Sequence, residues 1–431
     1  MPRRSLSIPQ PTSRHPSAPS DRGTPMRYLI AALLLAPAAF AGGYAIPNED
    51  PRDLALSQST VAAQTGPEAA HTNPSALAGQ KGLAVTASGE MLYNVTTWSD
   101  PALGRSTLQP KANFPPEVAA SYGDTLPNGM PYGVGLAFLV PAGGSLKWPT
   151  NWPGAARIQY VEQRVWLTEA GAAIQPHPLA KIGATFLYYR IQETLTQQIP
   201  IPGSPGLATL GMSGGAPTFG VSGEFHAPDD IPFTLGIAYR HQAPLELSGH
   251  AHFDNVPPSF GTLLQDQAAT ERLTVPNDFY VGAAYDVLPN FKVMGSWNLE
   301  RWRDYQSDTF VGSKGLVINV PRNYRNAWVF RFGGEYTNPS FLPALTLRAG
   351  FLRSISKQPR DTISPSLTDG NSWAVSVGAG YEIIPGLRAD VGYQFAFFDT
   401  LHAEGADAFP GTYDTHVHLI SIGATYRLPD L

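Results

Sequence analysis

The chain has 431 residues, of which 15% are charged and 11% aromatic, with 42 Gly, 41 Pro, no Cys and a formal net charge of -5 at pH 7. This balance argues against intrinsic disorder, which favours low hydrophobicity and high net charge, and it gives no support for nucleic-acid binding. The absence of cysteine excludes disulfides, thiolate metal sites and a cysteine nucleophile, and a mean hydropathy of -0.13 excludes a bundle of membrane helices.

In chain order, Met26-Arg27-Tyr28 precedes LIAALLLAPAAFA, an apolar run ending in Ala39-Phe40-Ala41. A positive residue, an apolar core of about 7–15 residues and an A-x-A site describe a secretory signal peptide. A spanning helix needs ~20 apolar residues. Cleavage after Ala41 makes residues 1–41 an N-terminal extension plus leader and starts the mature chain at Gly42. The first 25 residues are rich in Pro, Ser and Arg and have no core-forming pattern. Either they lengthen the leader or translation starts at Met26, the reading favoured here. No later stretch approaches 18 apolar residues, which leaves a soluble secreted protein or an outer-membrane barrel.

Residues 42–82 show no strand alternation. Asp50 can cap a short helix with Pro51 at its first position, and Asn73-Pro74 then interrupts regular structure. A partly helical segment of this length before the first strand fits a plug inside a barrel or a periplasmic tail, and composition leaves both open.

From Leu83 onward the pattern has period two. Trp328, Phe330, Phe332 and Tyr336 share one face, with Val329, Arg331 and Glu335 on the other. Leu345, Leu347, Ala349 and Phe351 oppose Thr346, Arg348 and Gly350, and similar alternation covers 233–239, 279–285, 373–382 and 387–395. Such alternation marks strands with two unlike environments. Short turns such as Leu288-Pro289-Asn290 and Ile384-Pro385-Gly386 alternate with long loops at 141–157, 198–214, 254–271, 310–325, 358–371 and 402–413. Short periplasmic turns, long outer loops and aromatic girdles describe a transmembrane barrel. The expected fold is therefore an all-β membrane protein, an antiparallel β-barrel of about 14 strands over 83–428.

The segment Glu68-Ala-Ala-His-Thr-Asn-Pro-Ser-Ala-Leu77 resembles the N-terminal hatch of the FadL family (OMPP1/FadL/TodX) of outer-membrane transporters for long-chain fatty acids and other hydrophobic compounds. That hatch carries small residues leading into Asn-Pro-Ala. Ser75 stands where Ala is usual, and His71-Thr72 where an aromatic commonly precedes the Asn. The likeness continues through Trp297–Trp302, Asn326–Tyr336, Leu345–Gly350 and Trp373–Gly378. It implies that residues 42–82 form a hatch, with Asn73, Pro74 and Ser75 as its motif, inside a monomeric fourteen-stranded barrel of the bacterial outer membrane. It also implies passive uptake without enzymatic activity or cofactor. Ligand is caught by outer loops, bound beside the hatch and released sideways through the wall. The implied partners are a long-chain fatty acid or another hydrophobic small molecule, outer-membrane lipid and lipopolysaccharide, and the outer-membrane assembly machinery.

Two uncharged loops fit capture, through Ile199, Ile201, Leu207, Leu210 and Met212 and through Val256, Phe260, Leu263 and Leu264. For the wall opening, Tyr132–Pro141 is the candidate strand, because glycines and a proline weaken a ladder. A fatty-acid carboxylate needs a donor in the lumen, and the inward parity offers Arg240, Arg331 and Arg348. The alternative for each is an internal ion-pair ladder with Glu224, Glu335, Glu382 and Asp390. Rival functions are uptake of neutral aromatic or alkane hydrocarbons, a non-transporting structural or adhesive barrel, and an outer-membrane hydrolase using His416, His418 and Ser421. The last is disfavoured because the histidines and Ser421 have opposite parity. Neither a catalytic set nor a metal site stands out.

Overall fold

The alternation of large and small residues resolves into one closed sheet. A computed structural model describes residues 50–428 except 202, 204, 229, 230, 261–263, 357, 406 and 407. The leader and the capture candidate Leu263 lie outside the described residues. β1 (Gly82–Asp100) is followed by the short β2 (Gly104–Thr107) and β3 (Ala112–Asn113), then by β4 (Pro116–Thr125), β5 (Pro131–Lys147), β6 (Tyr160–His177), β7 (Ala180–Ile199) and β8 (Gly206–His226). β9 (Phe233–Arg240) runs on into β10 (Ala243–Asp254), which returns as β11 (Gln267–Val275) and β12 (Asp278–Leu288). After β13 (Phe291–Glu300), the hairpin of β14 (Ser307–Gly312) and β15 (Val317–Pro321) precedes β16 (Ala327–Thr337), β17 (Leu345–Ile355) and β18 (Ser372–Ile384). β19 (Leu387–Phe398), β20 (Leu401–Ala403) and β21 (Gly411–Arg427) complete the chain. Fourteen strands form the antiparallel wall, and pairing of β1 with β21, from Ala84↔Arg427 to Ser99↔Thr412, closes it. The other short strands extend or cap the wall on the long-loop side.

Side-chain parity sets the two surfaces. Leu136, Ile182, Phe186, Phe332, Val377 and Ile422 stand exposed on the outside, a band suited to lipid. Aromatic pairs border it, including Phe138 stacked on Trp166 at 5.6 Å and Trp297 beside Trp328 at 5.5 Å. On the short-turn side two residues suffice between β18 and β19, where Gly386 has φ +84°, a conformation that suits glycine.

The N-terminal segment lies inside the wall. It consists of α1 (Pro51–Ala55), a 3₁₀ turn (Thr60–Ala62), α2 (Ala69–Thr72) and a second 3₁₀ turn (Pro74–Leu77). Asp50 caps α1 by accepting from the Asp53 amide at 2.9 Å. Leu54, Leu56, Ala69, Ala70 and Leu77 are fully buried. The wall meets this plug with glycines because their missing Cβ lets backbone touch backbone. A Cβ at Gly350 of β17 would come 2.6 Å from the Leu56 carbonyl carbon, and one at Gly183 of β7 would come 2.5 Å from the Ser75 amide. Gly133, Gly236, Gly378 and Gly392 face the plug in the same way.

The opposite end is filled by rings. Trp148 and Trp152 stack at 4.4 Å, Trp98 meets Trp152 edge-on at 5.8 Å, and Phe409 packs on both Trp98 and Trp152 at 5.3 Å. Each indole N–H donates to a backbone carbonyl, that of Pro410, Pro365 or Ile158, as buried Trp requires.

Candidate functional site

Between plug and cap lies a cavity of about 300 Å³, at the lower end of the ~300–1,000 Å³ range of ligand pockets. The plug contributes Gln58, Val61, His71 and Thr72 to its floor. The wall contributes apolar Val275, Val329, Leu352, Val417 and Leu419, together with Tyr189, Tyr280 and Trp302. Charged groups interrupt this lining at Asp53, Arg240, Asp278, Glu300, Arg331 and Asp369.

Arg240, Asp278, Glu300 and Arg331 are not equivalent. Arg240 donates to the His71 carbonyl and lies 5.7 Å from the Tyr280 ring centre. Glu300 accepts from the Trp302 indole at 2.8 Å, and Asp278 accepts from the Tyr280 hydroxyl at 3.4 Å. Arg331, on the inward face of β16, is nine-tenths buried, and its Nε and Nη1 donate to no described atom. A buried donor without a partner costs ~1–3 kcal/mol or more when charged, so an anionic group in the cavity would be held there.

Arg348 belongs elsewhere, which corrects its place among the ligand candidates. Its side chain is fully buried, with Nε 2.7 Å from Glu335 and Nη1 2.7 Å from Asp390. Arg52 of the plug grips the same Glu335 through Nε and Nη2, both at 3.0 Å. This network ties plug to wall, and Arg348 is not among the residues that line the cavity. The motif Asn73-Pro74-Ser75 also stands away from the cavity, wholly buried. The Asn73 carboxamide oxygen accepts from the Ser75 amide at 3.2 Å and hydroxyl at 2.6 Å, while its nitrogen donates to the Val61 carbonyl at 2.6 Å. It staples the two halves of the plug, and the adjacent His71 and Thr72 reach the cavity.

The two capture loops also require correction. Leu207, Leu210 and Met212 stand in β8, because the β7–β8 pairing runs on to Ile199↔Gly206. Ile199, Ile201 and Leu264 are buried in one cluster, with Val256 and Phe260 packed against it. These side chains from two loops cover one another, so the described residues present no open apolar patch there. Ser421 is buried on the lumen side, whereas His416 and His418 pack outside against Phe395; they do not meet. Among the described residues no group of three or more His, Asp or Glu converges on a metal position.

The wall itself is interrupted beside the cavity. β4 pairs with β5 only as far as Val118↔Phe138. β5 then shifts register against β6 between Leu139 and Ala142. Pro141, which cannot donate to a ladder, stands in that shift, and Pro141–Leu146 line the cavity together with Leu92, Asn94 and Asn113 from the other side of the break. The break begins where the Gly- and Pro-bearing stretch Tyr132–Pro141 ends. The roles of Asp278, Tyr280, Glu300 and Trp302 were not visible in the sequence: one hairpin pairs Asp278 with Glu300, but only closure of the wall faces it toward Arg240 and Arg331 on other strands.

A family model described as outer membrane protein transport protein (OMPP1/FadL/TodX) matches residues 32–428. Among solved structures, a FadL homologue of Pseudomonas aeruginosa aligns at TM-score 0.78 and 19% identity, covering 90% of this chain and 100% of that one. The Pseudomonas putida toluene transporter TodX aligns at 0.70 and 14%, covering 88% and 99%. The Ralstonia pickettii toluene transporter TbuX aligns at 0.64 and 16%, covering 88% and 98%. No curated protein matches the sequence.

Proposed function

Because the chain belongs to the OMPP1/FadL/TodX family of outer-membrane transport proteins, we propose that its own cargo is an apolar acid, a long-chain fatty acid in the first place. The single observation that carries this reading is Arg331, a buried guanidinium with open donors on the wall of a mostly apolar cavity. An Arg can hold a carboxylate with two parallel bonds, while the tail lies along Val275, Val329 and Leu352. Arg240 supplies a second positive charge across the floor.

The cargo leaves sideways through the break between β4 and β5. An alkyl tail loses ~0.8 kcal/mol for every CH₂ returned to water, so a path from cavity to lipid is favoured over one through the periplasm. The chain acts as a monomer and needs no cofactor.

Neutral hydrocarbon is the second reading. Asp278 and Glu300 share the cavity with the two arginines and can balance them without a ligand. Competition between oleate and toluene for the purified barrel decides between the two. For an acid cargo, Arg331→Gln weakens oleate about tenfold, the scale of one charge-assisted bond, and leaves toluene unchanged. Unaltered oleate binding in that variant would transfer the assignment to neutral cargo.

A further inference from the structure

The outer surface beside the wall break carries an excess of positive charge that transport through the lumen does not use. Phe138 and Trp166 stack at the upper edge of the lipid-facing band, and Tyr188 stands exposed on the neighbouring strand. Arg190 pairs in register with Trp166, and Arg164 pairs with Gln192. The two arginines are therefore diagonal neighbours on the same outward face of β6 and β7, with Cβ atoms ~7–8 Å apart. Lys147 pairs in register with Tyr160 on that face, and Lys111 reaches across to within 5.9 Å of the Tyr160 ring centre. Lys147, Arg164, Arg190 and Lys111 are all exposed.

Among the described residues one carboxylate pairs with two of the four: Glu162 lies 2.7 Å from Arg164 and 3.8 Å from Lys111, while Arg190 donates to the Ser213 hydroxyl at 3.4 Å. Two other arginines of the wall come with their own acids: Arg272 with Glu246 at 3.2 Å and Arg353 with Asp399 at 3.3 Å. The surplus beside the break sits just above apolar side chains that face lipid. A ligand that fits must carry an anionic group at headgroup height and acyl chains below it.

We propose that Arg164 and Arg190, assisted by Lys111 and Lys147, bind the phosphate of an outer-leaflet glycolipid of the lipid A type. Two guanidinium forks about one Arg side chain apart suit a phosphate. The acyl chains of that molecule would lie along Phe138, Trp166 and Tyr188, on the β5–β6 side of the break. The site stands on the outer wall and depends on no residue of the cavity, so it holds whether the cargo is an acid or a hydrocarbon.

The test uses the full chain purified in mild detergent. Bis-phosphorylated lipid A, fully dephosphorylated lipid A and phosphatidylglycerol are titrated separately, with bound lipid counted by native mass spectrometry. The wild type should retain bis-phosphorylated lipid A about tenfold better than the Arg164→Gln/Arg190→Gln variant, the scale of a lost charge-assisted bond. The Arg353→Gln variant should match the wild type. Heat-modifiable migration of each variant reports a closed barrel, and oleate or toluene binding in the lumen should be unchanged. Equal retention by the double variant, equal binding of the dephosphorylated form, or equal binding of phosphatidylglycerol would each overturn the proposal.

Discussion

The floor of the cavity and its roof are built from opposite kinds of residue. Below, plug and wall approach backbone to backbone through Gly183, Gly350 and Gly392, and the side chains that join them are polar or charged, such as Arg52 with Glu335 and Ser57 with Ser376 at 2.5 Å. Above, Trp98, Trp148 and Trp152 fill the space and are almost wholly buried. Close backbone approach gives little apolar area per residue but fixes position, whereas large rings bury ~150–250 Å² each. Labour is thus divided: the roof supplies stability and the floor supplies alignment.

The largest effect should come from the roof. Trp152→Ala removes a ring that touches three others, and such truncations cost ~3–5 kcal/mol. Urea unfolding from lipid vesicles should show that loss, while protease protection of the plug stays as in the wild type. If the plug loosens equally, roof and floor are one cooperative unit and the division fails.

Gly350→Val tests the floor. Its new Cβ meets the Leu56–Ser57 backbone, which cannot rotate away as a side chain could, and overpacking of this kind costs ~1–3 kcal/mol. The expected result is a closed, heat-modifiable barrel whose plug is cut by protease and whose conductance in a planar bilayer rises. A protected plug with unaltered conductance would mean that the close contacts do not position it.

The smallest effect concerns a clip outside the membrane. His252 lies 2.5 Å from Asp266 and 3.0 Å from Asp254, and the hydrogen bond it donates to Asp266 together with both negative charges raises its pKa above the ordinary 6.5. A raised histidine pKa means that the folded clip binds its proton more tightly than the unfolded loop does. Its stabilisation is therefore complete below pH 6.5 and fades as pH rises through the raised value. Hydrogen exchange in residues 255–260 and 264–266 should accelerate across that window, and His252→Gln should abolish the pH dependence.

Much of this was legible in the sequence, for identifiable reasons. Strand positions follow from alternation because lumen and lipid demand unlike side chains, and Trp328-Val-Phe-Arg-Phe332 shows its outward and inward members directly. The inward parity of Arg240, Arg331 and Arg348 was equally readable. Which arginine is engaged was not, since Arg348 is held by Glu335, 13 positions away, and Asp390, 42 positions away. Residues 206–212 read as loop because they follow the Gly- and Pro-rich stretch 200–206, yet they continue β8 above the lipid band. The inward glycines looked like a polar lumen lining, and only the plug explains why they must be glycine.

The closure of β1 on β21 also has a temporal meaning. These are the first and last strands of the wall, so the ring can be sealed only after every other strand has been made. The plug precedes β1 and touches glycines on strands throughout the circumference, which places it at the centre before sealing. The wall thus has to be wrapped around its own N-terminal plug, as a stave barrel is raised around a former. A defect in the plug would then be felt first as slow or failed assembly, ahead of any change in what the finished protein carries.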